Sequence, residues 1–218
     1  DHYKELLTTP KALASIRKSL FLAVSSATIC SVIGTAVVIA VRKSKGFLKK
    51  TLEGISLLPE MLPSIVLGIG LMLFWNAIYK VIPHYNTNGI MVLAYVVPYL
   101  PYTVQYVTSA FTQINESLLE AGRTFGGTPA YVFCRVTLPM ISRGIFAGWM
   151  MIFIIAFREL VTASLIAPPN TLVVSTYINR EFEQGSVSLG MAMAVLCVLI
   201  TTTALLVFNR FVGKRKGA

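Results

Sequence analysis

The sequence predicts an all-α membrane protein: a bundle of about five or six transmembrane helices in a single domain over residues 1–218. Hydrophobic residues make up 55% of the chain and charged residues only 13%, whereas soluble domains carry about 25% charged residues. The apolar residues also lie in long blocks without Asp, Glu, Lys or Arg, at 19–41, 61–79, 81–115 and 184–209. About 20 such residues cross a bilayer as a helix, which satisfies its own backbone polar groups without water.

Five spanning helices are predicted from these blocks and from a further apolar stretch. We place them at 19–41, 55–79, 89–112, 141–167 and 188–209. Pro59 and Pro63 enter the second helix, and Pro98 and Pro101 interrupt the third. Because proline lacks the backbone N–H and clashes with the preceding turn, we expect kinks there. Broken helices often line transport pathways, but kinks also occur in ordinary bundles, so a pathway role stays open.

The net charge of +10 comes from basic residues at block ends, so no nucleic-acid partner is predicted. The clusters that follow the first and last blocks are Arg42, Lys43, Lys45, Lys49 and Lys50, and Arg210, Lys214, Arg215 and Lys216. Cytoplasmic segments of membrane proteins carry such an excess. We therefore place 42–54, 113–140 and the C-terminal end inside, and residues 1–18 outside as a lead-in segment. The basic residues Lys4, Lys11, Arg17 and Lys18 argue against this orientation.

The chemistry-bearing residue types form no recognisable active site. Cys30, Cys134 and Cys197 are far apart and are interpreted as packing residues, and His2 and His84 lie apart in polar segments. The sequence contains neither a nucleophile elbow nor the Gly-x4-Gly-Lys-Ser/Thr phosphate loop. We predict no catalytic residue, no metal site and no cofactor bound by this chain.

The loop at 113–140 is the most informative segment. From Asn115 to Pro139 it predicts a short amphipathic helix, a break at Gly126–Gly127, a second short helix from near Pro129, and a stop at Pro139. Two short helices that protrude between spanning helices suit docking into a groove of a partner. The alternative is a re-entrant surface helix that caps the bundle, and the physical pattern alone leaves both open.

This loop resembles the signature of permease subunits of binding-protein-dependent ABC importers. That signature reads E-A-A, then three residues, G, nine residues, I, one residue and L-P. This chain keeps every spacing. It departs from the signature at two positions, with Gly122 in place of the second alanine and Val136 in place of isoleucine. The matching residues are Glu120, Ala121, Gly122, Gly126, Val136, Leu138 and Pro139. The resemblance covers roughly residues 1–210. It implies the type I ABC importer permease fold, with this loop as the coupling helix that sits in a groove of the ATPase.

The resemblance also implies partners and a cargo. We expect a transport subunit of the bacterial inner membrane, with a cytoplasmic ABC ATPase dimer that binds ATP and Mg²⁺, an extracytoplasmic solute-binding protein, a second permease half and the lipid bilayer. Arg158-Glu159-Leu160, Ser164-Leu-Ile and Glu183-Gln-Gly185 are most similar to the ferric-iron class. Ferric iron is therefore the expected solute, with thiamine, polyamine, sulfate, phosphonate and sugar phosphate as alternatives.

The beginning of the chain suggests a longer context. If residues 1–18 lie outside, an earlier helix is needed to carry the chain there, and the first residue is Asp1 rather than Met. We expect the second half of a fused permease or a subunit without its first helix.

The candidate pathway residues are ionisable or aromatic groups inside predicted spans. Arg158 and Glu159 lie toward the outer part of the fourth helix, where an ionisable group is costly unless it is paired or faces water. A pathway or gating role, a structural ion pair and snorkelling to the interface are the alternatives. Glu60 faces an inner gate or merely reaches the lipid headgroups.

Four tyrosines share one face of the third helix: Tyr95, Tyr99, Tyr102 and Tyr106. They extend over about 16 Å, too deep for an interfacial aromatic belt alone. With Gln105 nearby, they either line the pathway as a polar stripe or pack against another helix through their hydroxyl groups.

Other classes of protein are less consistent with this pattern. A secondary transporter carries its own coupling site and needs no ATPase-docking loop, and a membrane enzyme needs a catalytic cluster at one surface. A structural membrane protein is the remaining alternative.

Overall fold

The computed structural model describes residues 2–78 and 87–214, which are largely helical and contain no strand within those two ranges. The helices are α1 (His2–Thr8), α2 (Pro10–Lys43), α3 (Gly46–Leu57), α4 (Ser64–Ile78), α5 (Asn88–Thr112), α6 (Glu116–Thr124), α7 (Pro129–Val132), α8 (Leu138–Phe157), α9 (Val161–Ile166), α10 (Val174–Glu183) and α11 (Val187–Lys214). A 3₁₀ turn follows α3 at Leu58–Met61, and a π-helical turn joins α7 to α8 at Phe133–Thr137.

Four helices are long and apolar enough to cross a membrane: α2, α5, the continuous helix Pro129–Phe157, and α11 up to Arg210. The bent pair α3–α4 supplies a fifth crossing when it is taken as one span. The predicted all-α membrane fold is confirmed. Within the lead-in segment, the structure shows α1 and the first turns of α2, with Pro10 in the first turn after Thr9.

The core is formed by α2, α5 and α8, which approach one another closely at small residues. A Cβ on Gly34 of α2 would lie 2.7 Å from Thr103 of α5. A Cβ on Gly144 of α8 would lie 2.5 Å from the side chain of Ala110 and 2.8 Å from a backbone oxygen of α5. Lipid tails are as apolar as helix surfaces, so the hydrophobic effect does not drive helices together in a bilayer. Small residues favour association instead, because they let the helix backbones pack tightly. Here they bring three spans into direct contact.

The second span differs from its prediction. A single helix over 55–79 is wrong, because α3 and its 3₁₀ turn end at Met61 and α4 begins at Ser64, at an angle of 107°. Pro59 lies in the 3₁₀ turn and Pro63 directly precedes α4. Proline at both places removes the donors that a continuous helix needs. The predicted end at Tyr79 lies outside the described residues, as do His84, Arg215 and Lys216.

The third span also contains two prolines, but its helix is continuous. Helix α5 begins one residue before its predicted start and ends where predicted. It runs without a break through Pro98 and Pro101, so these prolines do not interrupt it, and the expected kinks stay a prediction. Pro101 is buried within a helix that packs between α2 and α8. Tertiary packing on both sides holds the helix together although two of its hydrogen bonds are missing.

The fourth span is longer than predicted at its start and broken near its end. The predicted stop at Pro139 is wrong, since the helix continues from α7 through the π turn into α8. In that turn the N–H of Leu138 bonds the carbonyl of Phe133, five residues back. Such a widened turn accommodates Pro139, which has no backbone N–H to donate to the carbonyl four residues back. A single helix to residue 167 is also wrong: α8 ends at Phe157, and α9 begins only at Val161.

Helix α10 was not predicted. Val174, Tyr177 and Glu181, spaced as on one helix face, are buried where α10 packs on α11 and α2. The last span, α11, begins one residue before its predicted start and continues to Lys214.

Candidate functional site

The pair of short helices α6 and α7, hereafter the α6–α7 hairpin, turns at two glycines. Gly126 has a φ of +82°, which favours glycine. The N–H of Gly127 donates to the carbonyl of Gly122 at 3.1 Å, and a Cβ on Gly127 would lie 2.6 Å from that oxygen. Thr128 then caps α7, its hydroxyl oxygen accepting from the N–H of Tyr131 at 3.2 Å. The predicted break and the predicted helix start at Pro129 are confirmed, but the second helix is not short, because it continues through the π turn into α8.

The two legs of the hairpin close on Val132, which is buried. A Cβ on Gly122 would lie 3.2 Å from a methyl carbon of Val132. Gly122, which stands where the importer signature has alanine, thus leaves room for Val132. The remaining residues of the pattern follow the hairpin: Val136 lies in the π turn, and Leu138 and Pro139 lie in the first turn of α8.

The hairpin exposes apolar side chains. Phe125, at the corner, is 92% exposed, and Tyr131 and Leu118 are 59% and 48% exposed. Glu120 and Ala121 are also exposed. Exposed apolar groups that gather at a turn next to charged ones are typical of a protein-docking surface.

Glu159 connects three elements at the break in the fourth span. Its carboxylate accepts a hydrogen bond from the Tyr99 hydroxyl of α5 and another from the N–H of Thr162, at 2.9 Å, in the first turn of α9. The Ser175 hydroxyl of α10 donates to its backbone carbonyl. A carboxylate at a helix N-terminus satisfies free N–H groups and interacts favourably with the helix dipole. The break is therefore held by specific bonds.

Arg158, the candidate next to Glu159, has a different environment. It follows the last residue of α8 and its side chain is exposed. Among the side chains that the structure describes, no carboxylate lies within salt-bridge distance of Arg158. The two residues are adjacent in sequence but do not form one charged pair.

The four tyrosines of α5 pass gradually from the core to the surface. Tyr95 and Tyr99 are buried and their ring centroids are 6.2 Å apart, edge to face. Tyr102 is half-buried and Tyr106 is exposed. The first two thus pack between helices, and the last two are the ones that reach an open surface.

Glu60 lies beside that open surface. Its carboxylate accepts a hydrogen bond from the side-chain amide of Gln105 on α5, and both residues are exposed. The structure therefore joins Glu60 to α5, and the bond fixes the 3₁₀ turn against this helix.

Sequence reasoning missed the two small polar partners of Glu159. Thr162 contributes a backbone N–H, and Ser175 contributes a hydroxyl from 16 residues away. Neither position differs in the sequence from other Ser and Thr residues near apolar segments.

A family model described as "Binding-protein-dependent transport system inner membrane component" matches residues 32–217 of the chain. The putrescine transport system permease protein PotI of Escherichia coli (strain K12) is 27% identical over 186 residues, which is 84% of this chain and 66% of PotI. The chain thus matches slightly less than two thirds of that relative. The molybdenum transport system permease protein ModB of Mycobacterium tuberculosis (strain ATCC 25618 / H37Rv) is 27% identical over 89% of this chain and 79% of its own length.

Solved structures share the fold at lower identity. A chain of a bacterial alginate ABC transporter, in complex with its alginate pentasaccharide-bound periplasmic protein, matches with a TM-score of 0.82 and 18% identity, over all of this chain and 84% of that one. A chain of the MetNI methionine ABC transporter in an inward-facing conformation matches with a TM-score of 0.75 and 18% identity, over 93% and 94% of the two chains. The chain belongs to the family of inner membrane components of binding-protein-dependent transport systems, and is one of its multi-pass permease subunits.

Proposed function

We propose that the chain forms the translocation pathway of an ATP-driven importer together with a second permease half. A solute-binding protein delivers the solute from outside, and a separate ATPase dimer binds ATP and Mg²⁺ on the inner side. The observation that carries the proposal is the α6–α7 hairpin, whose glycine corner presents Phe125 almost fully exposed between two spans. Family membership and the spacing from Glu120 to Pro139, which matches the importer signature, support it.

The docking role is tested by Phe125→Ala in the transporter assembled with its ATPase and binding protein in proteoliposomes. Phe125 is too exposed to stabilise the bundle, so the variant should fold normally. An aromatic anchor at a protein interface contributes about 2 kcal/mol or more. We expect substrate-stimulated ATP hydrolysis to fall at least tenfold.

Phe74→Ala is the control, because Phe74 is an exposed phenylalanine (53%) that lies on α4 rather than on the hairpin. Hydrolysis should stay near the wild-type rate in this control. If Phe125→Ala keeps normal stimulated hydrolysis, the hairpin is not the ATPase-docking element.

For the solute we propose a polyamine such as putrescine. Relatives at 27% identity are named for putrescine and for molybdenum, which gives ferric iron, the first expectation, no support. The exposed carboxylate of Glu60 and the open edge of Tyr102 and Tyr106 suit a cationic amine, since ammonium groups bind carboxylates and aromatic faces. The sulfate, phosphonate and sugar-phosphate alternatives are anions and would use other contacts, whereas thiamine is a cation and would share these.

Uptake by the reconstituted importer separates these solutes. We expect labelled putrescine to accumulate in an ATP-dependent way, unaffected by molybdate and ferric citrate, and to be reduced several-fold by Glu60→Gln. Accumulation of iron or molybdate instead of putrescine would reject the polyamine assignment while leaving the importer assignment intact.

A further inference from the structure

Helix α3 is amphipathic, and its apolar face is uncovered. Phe47, Leu48, Ile55 and Leu58 recur at helical spacing and are 85%, 57%, 64% and 53% exposed. The opposite side carries Lys49, Lys50 and Glu53. The C-terminal end of the helix is anchored to the bundle, where Ser56 is buried and Leu57 packs on the core.

The direction of α3 follows from the bend that ends it. The 107° angle between α3 with its 3₁₀ turn and α4 is close to a right angle. With α4 as the part of this pair that crosses the membrane, a bend of this size places α3 nearly in the membrane plane. It also follows directly after the end of α2 at Lys43, so it lies at the membrane surface. Amphipathic helices in this position bury the apolar face at the boundary of headgroups and acyl chains.

The charges on and before α3 have the sign that anionic lipids attract. Arg42, Lys43, Lys45, Lys49 and Lys50 fall within nine consecutive residues and are all exposed. The ion pair of Lys49 with Glu53, at 3.9 Å, is exposed at both ends, which leaves it weak. Among the described side chains, no carboxylate lies within salt-bridge distance of Lys45 or Lys50.

We propose that α3 is an interfacial helix that binds anionic phospholipid headgroups of the inner leaflet through Lys45, Lys49 and Lys50. Phe47, Leu48 and Ile55 enter the acyl-chain region beneath those headgroups. A lipid occupant accounts for both halves of the pattern, since clustered lysines beside an exposed apolar face match a negatively charged membrane surface. A protein partner would need a complementary acidic, apolar groove at the same depth.

The position of Phe47 is tested with a spin label in the full-length chain, in a background where the exposed Cys134 is replaced by serine. The chain is reconstituted in phosphatidylethanolamine vesicles that contain phosphatidylglycerol, without ATPase. A label at Phe47→Cys should be relaxed by oxygen and shielded from a nickel chelate, whereas a label at Glu53→Cys should show the reverse. Access of the chelate to position 47 would overturn the proposal, and so would shielding from both agents, which indicates a protein cover.

The headgroup contact is tested by native mass spectrometry of lipids bound to the purified chain. The variant Lys45→Gln/Lys49→Gln/Lys50→Gln should retain several-fold less phosphatidylglycerol than wild type, with phosphatidylethanolamine unchanged. The control Lys4→Gln/Lys11→Gln/Arg17→Gln removes as many charges outside this cluster and should behave as wild type. Equal retention in both variants would overturn the lipid assignment. Neither experiment requires transport, so their failure is distinct from failure of the importer assignment.

Discussion

The break in the second span lies at prolines, whereas the break in the fourth span, at residues 158–160, contains none. At Pro59 and Pro63 the backbone itself lacks the donors for a continuous helix. At Arg158 and Glu159 every residue can be helical, and the chain leaves the helix because other partners take over. Glu159 caps α9 and accepts from Tyr99, and its carbonyl accepts from Ser175. A helix in this bundle is thus interrupted by local covalent geometry in one place and by tertiary hydrogen bonds in another.

The largest expected effect is that of Glu159→Ala. This change removes the acceptor of the Tyr99 hydroxyl and the cap of α9 together, which should cost about 3 kcal/mol of stability. Thermal unfolding of the purified chain in detergent measures the loss. Arg158→Ala, next to it but exposed, should change stability by less than about 0.5 kcal/mol.

The same pair distinguishes a structural role from a pathway role. Uptake per folded molecule should be preserved in Glu159→Ala and should fall in Arg158→Gln if only the arginine faces the solute. A Glu159→Ala protein as stable as wild type would show that the hydrogen bonds do not hold the break.

An intermediate effect is expected for Tyr99→Phe. The ring stays in the core, so only the hydroxyl bond to the carboxylate is lost, at a cost of about 1.5 kcal/mol. Tyr102→Phe is the matched control, since Tyr102 is half-buried and its hydroxyl does not bond Glu159. Equal unfolding temperatures for the two variants would contradict the assigned bond.

Only a small change in stability is expected at the prolines, where the readout is geometry. Pro59→Ala with Pro63→Ala restores the missing donors and should reduce the 107° bend between α3 and α4, at a cost under about 1 kcal/mol. Spin labels on Lys50 and Asn76 should therefore move apart in pulsed electron resonance. Pro98→Ala with Pro101→Ala should leave distances along α5 unchanged because that helix is already continuous. An unchanged α3–α4 distance would assign the bend to tertiary packing.

The features that could be predicted from the sequence depend on local chemistry. The glycine corner at Gly126–Gly127 and the start of α7 at Pro129 are set by residues a few positions apart, and the spans follow from uncharged blocks. The break at Glu159 could not be predicted in this way. Its partner Tyr99 is 60 residues away, and the sequence does not show which hydroxyl reaches a given carboxylate. Likewise, the continuity of α5 depends on neighbours that a sequence pattern does not identify.

The π turn at Phe133–Thr137 has a mechanical consequence. Because it keeps α7 and α8 in one helix, Pro129–Phe157 is an uninterrupted rod of 29 residues. At the rise of an α-helix, this rod is about 43 Å long. One end carries the α6–α7 hairpin and the other ends at Arg158 and Glu159. If the rod moves as a rigid lever, a tilt of about 5° at the hairpin displaces the far end by about 4 Å. That distance is enough to separate Glu159 from the Tyr99 hydroxyl, so a tilt of this kind at the hairpin end would reach the broken segment directly.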